Sequence, residues 1–241
     1  MLTVEPKRMG LKDGQRLLDV GCGPGRHSWS ACKLAKCSVY CMDIDGVSLR
    51  RAKWMFSEMD KKGESKGTWN LMKGSGMCLP FDDKTFDHVL CSEVLEHVDD
   101  VQQVMSELIR VLKDDGVLAV SVPTSRTERV FWRVGKNYSH PGGHIRIFTT
   151  RSIKKLLTSN DLHIYEVTHR HGLHSVYWFF RCLFGLDNEN HFVSRNYMRF
   201  LVWGMRTQNR GYTTLESTLD HVIAKSIVLY TRKKPITAKP Y

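Results

Sequence analysis

Short apolar runs alternate with longer stretches of helical periodicity through the first half of the chain. The runs at 16–20, 38–42, 68–73, 86–91 and 117–122 have strand length and composition. Between them, 26–36, 47–62 and 101–112 carry apolar residues at helical spacing. The last of these is the clearest: Val101, Val104, Met105, Leu108, Ile109, Val111 and Leu112 share one face, with Asp99 or Asp100 placed to cap it. Asp115-Gly116 reads as the turn into the fifth strand. Thr149 or Thr150 caps a further helix through Leu157. A strand at 162–168 and a last one at 226–231 complete the pattern, followed by a basic tail. Strands that alternate with helices imply an α/β fold whose mostly parallel sheet is covered on both faces.

Two segments break the alternation. One is 123–148, after the fifth strand, and the other is 170–220, after the sixth. The expectation is one domain over 1–241, with a core at about 16–122, 149–169 and 224–232 and insertions at 123–148 and 170–220. Charge divides along similar lines. Residues 1–123 hold 17 Lys and Arg against 18 Asp and Glu, whereas 124–241 hold 19 against 7. The basic half therefore points to an anionic partner such as a phospholipid surface, a nucleic acid or a phosphorylated substrate, or simply to a soluble basic surface. The seven cysteines form no Cys-x-x-Cys pair, and the first eight residues hold no apolar signal core. A reducing, cytoplasmic setting is expected, peripheral to a membrane where the basic half meets lipid. The aromatic run 176–180 is too short to span a bilayer.

The segment Leu17-Leu18-Asp19-Val20-Gly21-Cys22-Gly23-Pro24-Gly25 is a buried strand that runs into a glycine-rich turn. In open α/β sheets a nucleotide-like cofactor sits at such a turn. A dinucleotide fingerprint would need glycine at position 26, where this chain has Arg26. The spacing instead resembles motif I of the class I S-adenosylmethionine (SAM)-dependent methyltransferases, and the chain is similar to the type 11 and ubiquinone O-methyltransferase groups among them. The resemblance covers roughly 16–122. It implies a Rossmann-like seven-stranded sheet, mostly parallel with an antiparallel last strand, helical insertions after strands 5 and 6, and SAM as cofactor.

Carried onto this sequence, the resemblance sets Asp19 near the amino-acid end of SAM, with Gly21, Cys22 and Gly23 giving it room. Asp43 would accept the ribose hydroxyls, with Ile44 beside it, while Asp45 reads as a helix cap. The stretch Lys73-Gly-Ser-Gly-Met-Cys-Leu-Pro-Phe81 is similar to the family's adenine segment. Ser75 and Gly76 stand where Asp and Ala are usual, so adenine recognition would lean on the backbone of Gly76 and Met77. Ser92 lies in Cys91-Ser-Glu-Val-Leu-Glu-His-Val98, which resembles motif IV and borders the methyl group and the acceptor pocket.

Methyl transfer from a sulfonium is an in-line displacement that needs alignment and, for an O- or C-acceptor, a base. His97 is the first candidate base, and its alternative role is to orient the exit from the fourth strand. His140 and His144, on the first insertion, could close over the pocket or simply shape the loop. His169, His171 and His174 have no carboxylate at ligand spacing in the sequence, so no metal site is expected.

No Asn/Asp-Pro-Pro-Tyr and no Pro-Cys occur, which argues against familiar base methylation, and no RNA-binding module is recognisable. Both insertions mix aromatic residues with arginines. Tyr177, Trp178, Phe179, Phe180, Phe200 and Trp203 lie among Arg181, Arg195, Arg199 and Arg206. That mixture suits a headgroup boundary or a lid over a greasy acceptor, and equally an extra helical cap or a stack for single-stranded bases. The expected acceptor is a small hydrophobic or lipid-like molecule. The alternatives are an RNA or protein methyltransferase docked through the basic half, and a SAM-binding module with degenerate catalysis.

Overall fold

Strand β1 (Arg16–Val20) lacks polar alternation because both faces of its sheet are covered: Leu18 and Val20 enter one core cluster, Leu17 the other. The computed structural model describes residues 2–134, 143–185 and 191–234. Helix α1 (Arg26–Leu34), strand β2 (Ser38–Asp43), helix α2 (Gly46–Lys61) and strand β3 (Thr68–Lys73) follow β1. Then come β4 (Phe86–Ser92), α3 (Val101–Val111), β5 (Leu112–Pro123), α4 (Ser125–Val134), α5 (Thr150–Ser159) and β6 (Leu162–Arg170). Helices α6 (Gly172–Phe184), α7 (Phe192–Thr207) and α8 (Arg210–Ile223) precede β7 (Ser226–Lys233).

The strands form one sheet of order β3-β2-β1-β4-β5-β7-β6, with β7 antiparallel to β5 and β6 and the other pairings parallel. The expected fold class is thus observed. Strand order reverses between β1 and β4, and the crevice beyond their carboxyl ends is where such sheets bind ligands.

Local chemistry sets the element ends. Asp45 caps α2 by accepting from the Val47 and Ser48 amides, and Asp100 caps α3 by accepting from Gln103. Thr149 and Ser152 form a reciprocal capping box on α5. Helix α3 buries Val101, Val104, Met105, Leu108 and Val111 against the sheet. Each such side chain contributes about 1.5–3 kcal/mol.

Two of the boundaries that differ from the expectation have a local physical cause. Helix α1 stops at Leu34 rather than reaching Lys36, because the Ala35 backbone is extended and the Lys36 amide donates to Asp13 Oδ1. Strand β5 starts at Leu112, directly after α3, so Asp115-Gly116 lies inside the strand. Leu112 pairs with Phe86 and Val117 with His88, which leaves 113–116 as a bulge held by Lys113 on Asp87.

The second insertion forms helices α6, α7 and α8. Leu173, Leu201 and Tyr212 make their own small core. A methyl group on Gly204 would lie 2.0 Å from the Tyr212 ring, and one on Gly172 would lie 2.4 Å from the Leu219 carbonyl carbon. Glycine therefore lets these helices approach closely. Tyr177, Tyr197 and Phe200 pack on this core, while Phe192 (69 % exposed), Trp203 (50 %) and Leu183 (53 %) face outward. No helix among the described residues is long and apolar enough to cross a membrane.

Candidate active site

The glycine turn lies at the switch point. Gly21, Gly23 and Gly25 all have positive φ, at 69°, 54° and 84°. Gly21 packs against motif IV: a Cβ there would sit 2.2 Å from Val94 Cγ2. Gly23 is different, since a Cβ there would meet no atom within 4 Å. Cys22 is buried, with its thiol toward the Gly23 carbonyl, and its pKa is raised by its hydrogen bond to Cys41 and by burial.

Asp19 is fully buried below this turn. Ser28 Oγ donates to its Oδ2 at 2.5 Å, and Oδ1 has no hydrogen-bond partner. Burial pushes its pKa up to about 7. Asp43, at the end of β2, accepts from the Gly23 amide at 2.7 Å and from the Asp45 amide at 2.8 Å. Each oxygen keeps a second lone pair for a hydroxyl donor. Ile44 beside it is 72 % exposed.

The loop after β3 closes the same end of the sheet. Ser75 Oγ accepts from the Met77 amide at 3.2 Å, so the hydroxyl shapes its own turn. Gly76 lies against Val20 and Val104, and Gln103 Nε2 holds the Met77 carbonyl. Ser92 is buried and shares a hydrogen bond with Ser121 Oγ at 2.8 Å, which ties β4 to β5. The structure thus brings Asp19, Gly21, Cys22, Gly23, Asp43, Ile44, Ser75, Gly76, Met77 and Ser92 to the carboxyl ends of β1, β2, β3 and β4 or the loops that follow them. An open glycine turn, an unpartnered buried carboxylate oxygen and a carboxylate at the β2 end fit a cofactor with a cationic amino acid and a ribose.

His97 and His144 meet, with ring centroids 4.8 Å apart. Segment 143–149 docks on the β4 exit: Ile145 N donates to the Glu96 carbonyl and Arg146 Nη2 to the Asp99 carbonyl. His97 Nδ1 lies 3.0 Å from the Gly143 carbonyl, and His144 Nδ1 lies 2.6 Å from Glu128 Oε2. His140 lies outside the described residues.

Three carboxylates went unnoticed in the sequence. Glu93 has φ 58° and pairs with Lys225 at 3.3 Å. Glu96 is 1 % exposed, and burial, then the charge of Glu93, pushes its pKa well up. Glu128 on α4 is also 1 % exposed. Donor atoms of Glu96, His97 and His144 lie within 4.8 Å of one another. His171 and His174 do find a carboxylate, Glu216, at the same limit, from an element far along the chain. Between Glu93 and α6 lies a cleft of about 180 Å³, bounded by Arg26, Glu93, His174, Trp178 and Lys225.

This sheet order, with a glycine turn at the switch point and an acid closing β2, defines a class I methyltransferase fold. Residues 18–120 match the family model described as a methyltransferase domain. Over 115 residues it is 34 % identical to the sterol 24-C-methyltransferase of Schizosaccharomyces pombe, covering 47 % of this chain and 29 % of that enzyme. An O-methyltransferase of Aspergillus nomiae is 31 % identical over 116 residues, or 48 % of this chain and 49 % of that one. The chain thus spans half or less of the length of these relatives. A SAM-dependent methyltransferase structure from Methanosarcina mazei superposes with TM-score 0.62 at 17 % identity, covering 97 % of this chain and 99 % of that one.

Proposed function

We propose that this chain moves a methyl group from SAM to an oxygen or carbon of a small hydrophobic, lipid-like acceptor, working from the cytoplasm at an anionic membrane surface. The observation that carries the reading is the junction of Gly21 with Val94. It sets the cofactor turn directly against the segment that ends in Glu96 and His97. Similarity to sterol and O-methyltransferases supports a lipid-like acceptor.

When bound, SAM supplies an electrophilic methyl on a sulfonium. Asp19 and the glycine turn would hold its amino-acid end, Asp43 its ribose, and Ile44, Gly76 and Met77 its adenine. The chain's remaining task is to align the acceptor, keep water out and take its proton. Alignment alone can supply about 7–11 kcal/mol of the barrier. His97 or His144, oriented by Gly143 and Glu128, would take that proton.

The deciding experiment supplies methyl-labelled SAM to the purified protein with a cell extract, then partitions the label. Label in the organic phase supports the lipid-like acceptor. Label in RNA or protein would replace that reading with macromolecular docking through the basic half, and SAM binding without any transfer would mark a degenerate module.

A further inference from the structure

Helix α6 opens on His171-Gly-Leu-His174, and three buried polar atoms gather there without a hydrogen-bond partner: His171 Nδ1, His174 Nδ1 and Glu216 Oε1. A buried polar atom without a partner is unfavourable, so three together call for a common one. One donor atom from each residue lies within 4.8 Å of the other two. The histidines stand three positions apart at the start of α6, and Glu216 comes from α8. Gly172 makes this meeting possible. Its amide donates to Asp220 Oδ1 at 2.6 Å, and its missing side chain lets α6 lie against the α8 backbone.

His171 is held from behind. It is 7 % exposed, its backbone is left-handed with φ 71°, and its Nε2 lies 3.0 Å from Thr3 Oγ1. With Thr3 accepting from Nε2–H, the lone pair stays on Nδ1, the arrangement found behind metal-bound histidines. Burial lowers the pKa of both rings, that of His174 to about 4, so both are neutral near pH 7. Two nearby cations already have carboxylates, Arg170 with Glu5 and Lys225 with Glu93. An ion can also reach the cluster. His171 and Glu216 line a cavity of about 590 Å³, and His171 and His174 line the cleft of about 180 Å³ beside Glu93.

We propose that His171, His174 and Glu216 bind a divalent transition-metal ion that staples the start of α6 to α8. Two imidazoles and one carboxylate suit Zn²⁺, which takes such a set and keeps a fourth position for water. Mg²⁺ and Ca²⁺ prefer oxygen ligands. The site goes beyond the methyl-transfer reading, because none of its three ligands is assigned to SAM or to the acceptor proton.

The test strips the full chain with a chelator, dialyses it against micromolar Zn²⁺ and counts metal per chain by mass spectrometry. Wild type should retain an equivalent that Glu216→Gln and His174→Ala lose. Thr3→Val should weaken its affinity about 10–100-fold through the ring that Thr3 orients. His144→Ala, in the donor cluster at the β4 exit, should leave the equivalent in place. A wild type that retains no Zn²⁺ overturns the site, as does an equivalent that survives Glu216→Gln but disappears in His144→Ala. Should the variants fail to fold, hydrogen exchange on wild type decides. Zn²⁺ should slow exchange at the start of α6 and around Glu216 in α8. Slowing confined to the β4 exit and α4, or none at all, overturns the site.

Discussion

Asp19 shows what one residue of the cofactor turn costs the fold. Burial raises its pKa to about 7, against about 3.9 for an unfolded chain. Between those values the folded state holds the proton that the unfolded state has released. Stability therefore falls as pH rises from about 4 to about 7 and changes no further above that. Asp19→Asn removes the buried charge, so the free variant should be more stable than wild type at pH 8 by about 1–3 kcal/mol, with the gain shrinking toward pH 4. Its SAM affinity should drop, because an amide cannot oppose an ammonium. Urea unfolding at both pH values and calorimetry check the two halves, and equal stability at pH 8 would refute the linkage. Neighbouring glycines divide the same way. Gly21→Ala drives a methyl group into Val94 and should lower the melting temperature of the free protein. Gly23→Ala meets only open space, so beyond the left-handed backbone penalty of about 1–2 kcal/mol it should chiefly weaken SAM binding, at least tenfold.

Elements were legible where one physical signal dominated. The period of α3, the caps Asp45, Asp100 and Thr149, and the apolar runs of β1 and β4 each point to one structure. The start of β5 was not legible, because Asp115-Gly116 makes a bulge or a turn with equal ease and only pairing with β4 decides. Nor was Glu128: with Arg126 and Arg129 around it the segment reads as solvated, yet α4 turns Glu128 inward to meet His144 from a loop sixteen positions on. The meeting of His97 with His144 is likewise a product of topology, since local sequence carries no signal for it. The helical cap poses a test of its own. Gly204→Ala would place a methyl group 2.0 Å from the Tyr212 ring. Overpacking of this kind costs about 1–3 kcal/mol. Hydrogen exchange should accelerate in α7 and α8 while β1 and β4 stay protected, and uniform acceleration would mean that the cap and sheet unfold as one unit.

At the scale of the whole molecule, charge and exposed apolar surface coincide. Residues 124–241 carry 19 basic against 7 acidic side chains. On α7, Phe192, Arg195, Arg199, Val202 and Arg206 recur at helical spacing, and all five are exposed, with Trp203 alongside. A stripe that pairs aromatic and aliphatic bodies with guanidinium groups, on a helix too polar to span a bilayer, has the character of an interfacial element. Each cation near an anionic surface contributes about 1 kcal/mol. Replacing Arg195, Arg199 and Arg206 together by Gln should thus reduce partitioning onto phosphatidylserine vesicles by about 100-fold at low salt. Wild-type binding should itself weaken as salt rises, because the Debye length shrinks from about 30 Å at 0.01 M to about 8 Å at 0.15 M. Trp203→Ala tests the apolar component separately: it should lower binding by a factor that salt leaves unchanged, since buried apolar area does not depend on screening. Vesicle sedimentation reads all three. Wild type that stays in solution with anionic vesicles but is retained by RNA would assign the basic half to nucleic acid. The exposed α7 stripe would then face stacked bases in place of lipid, and the acceptor would have to be sought among polymers.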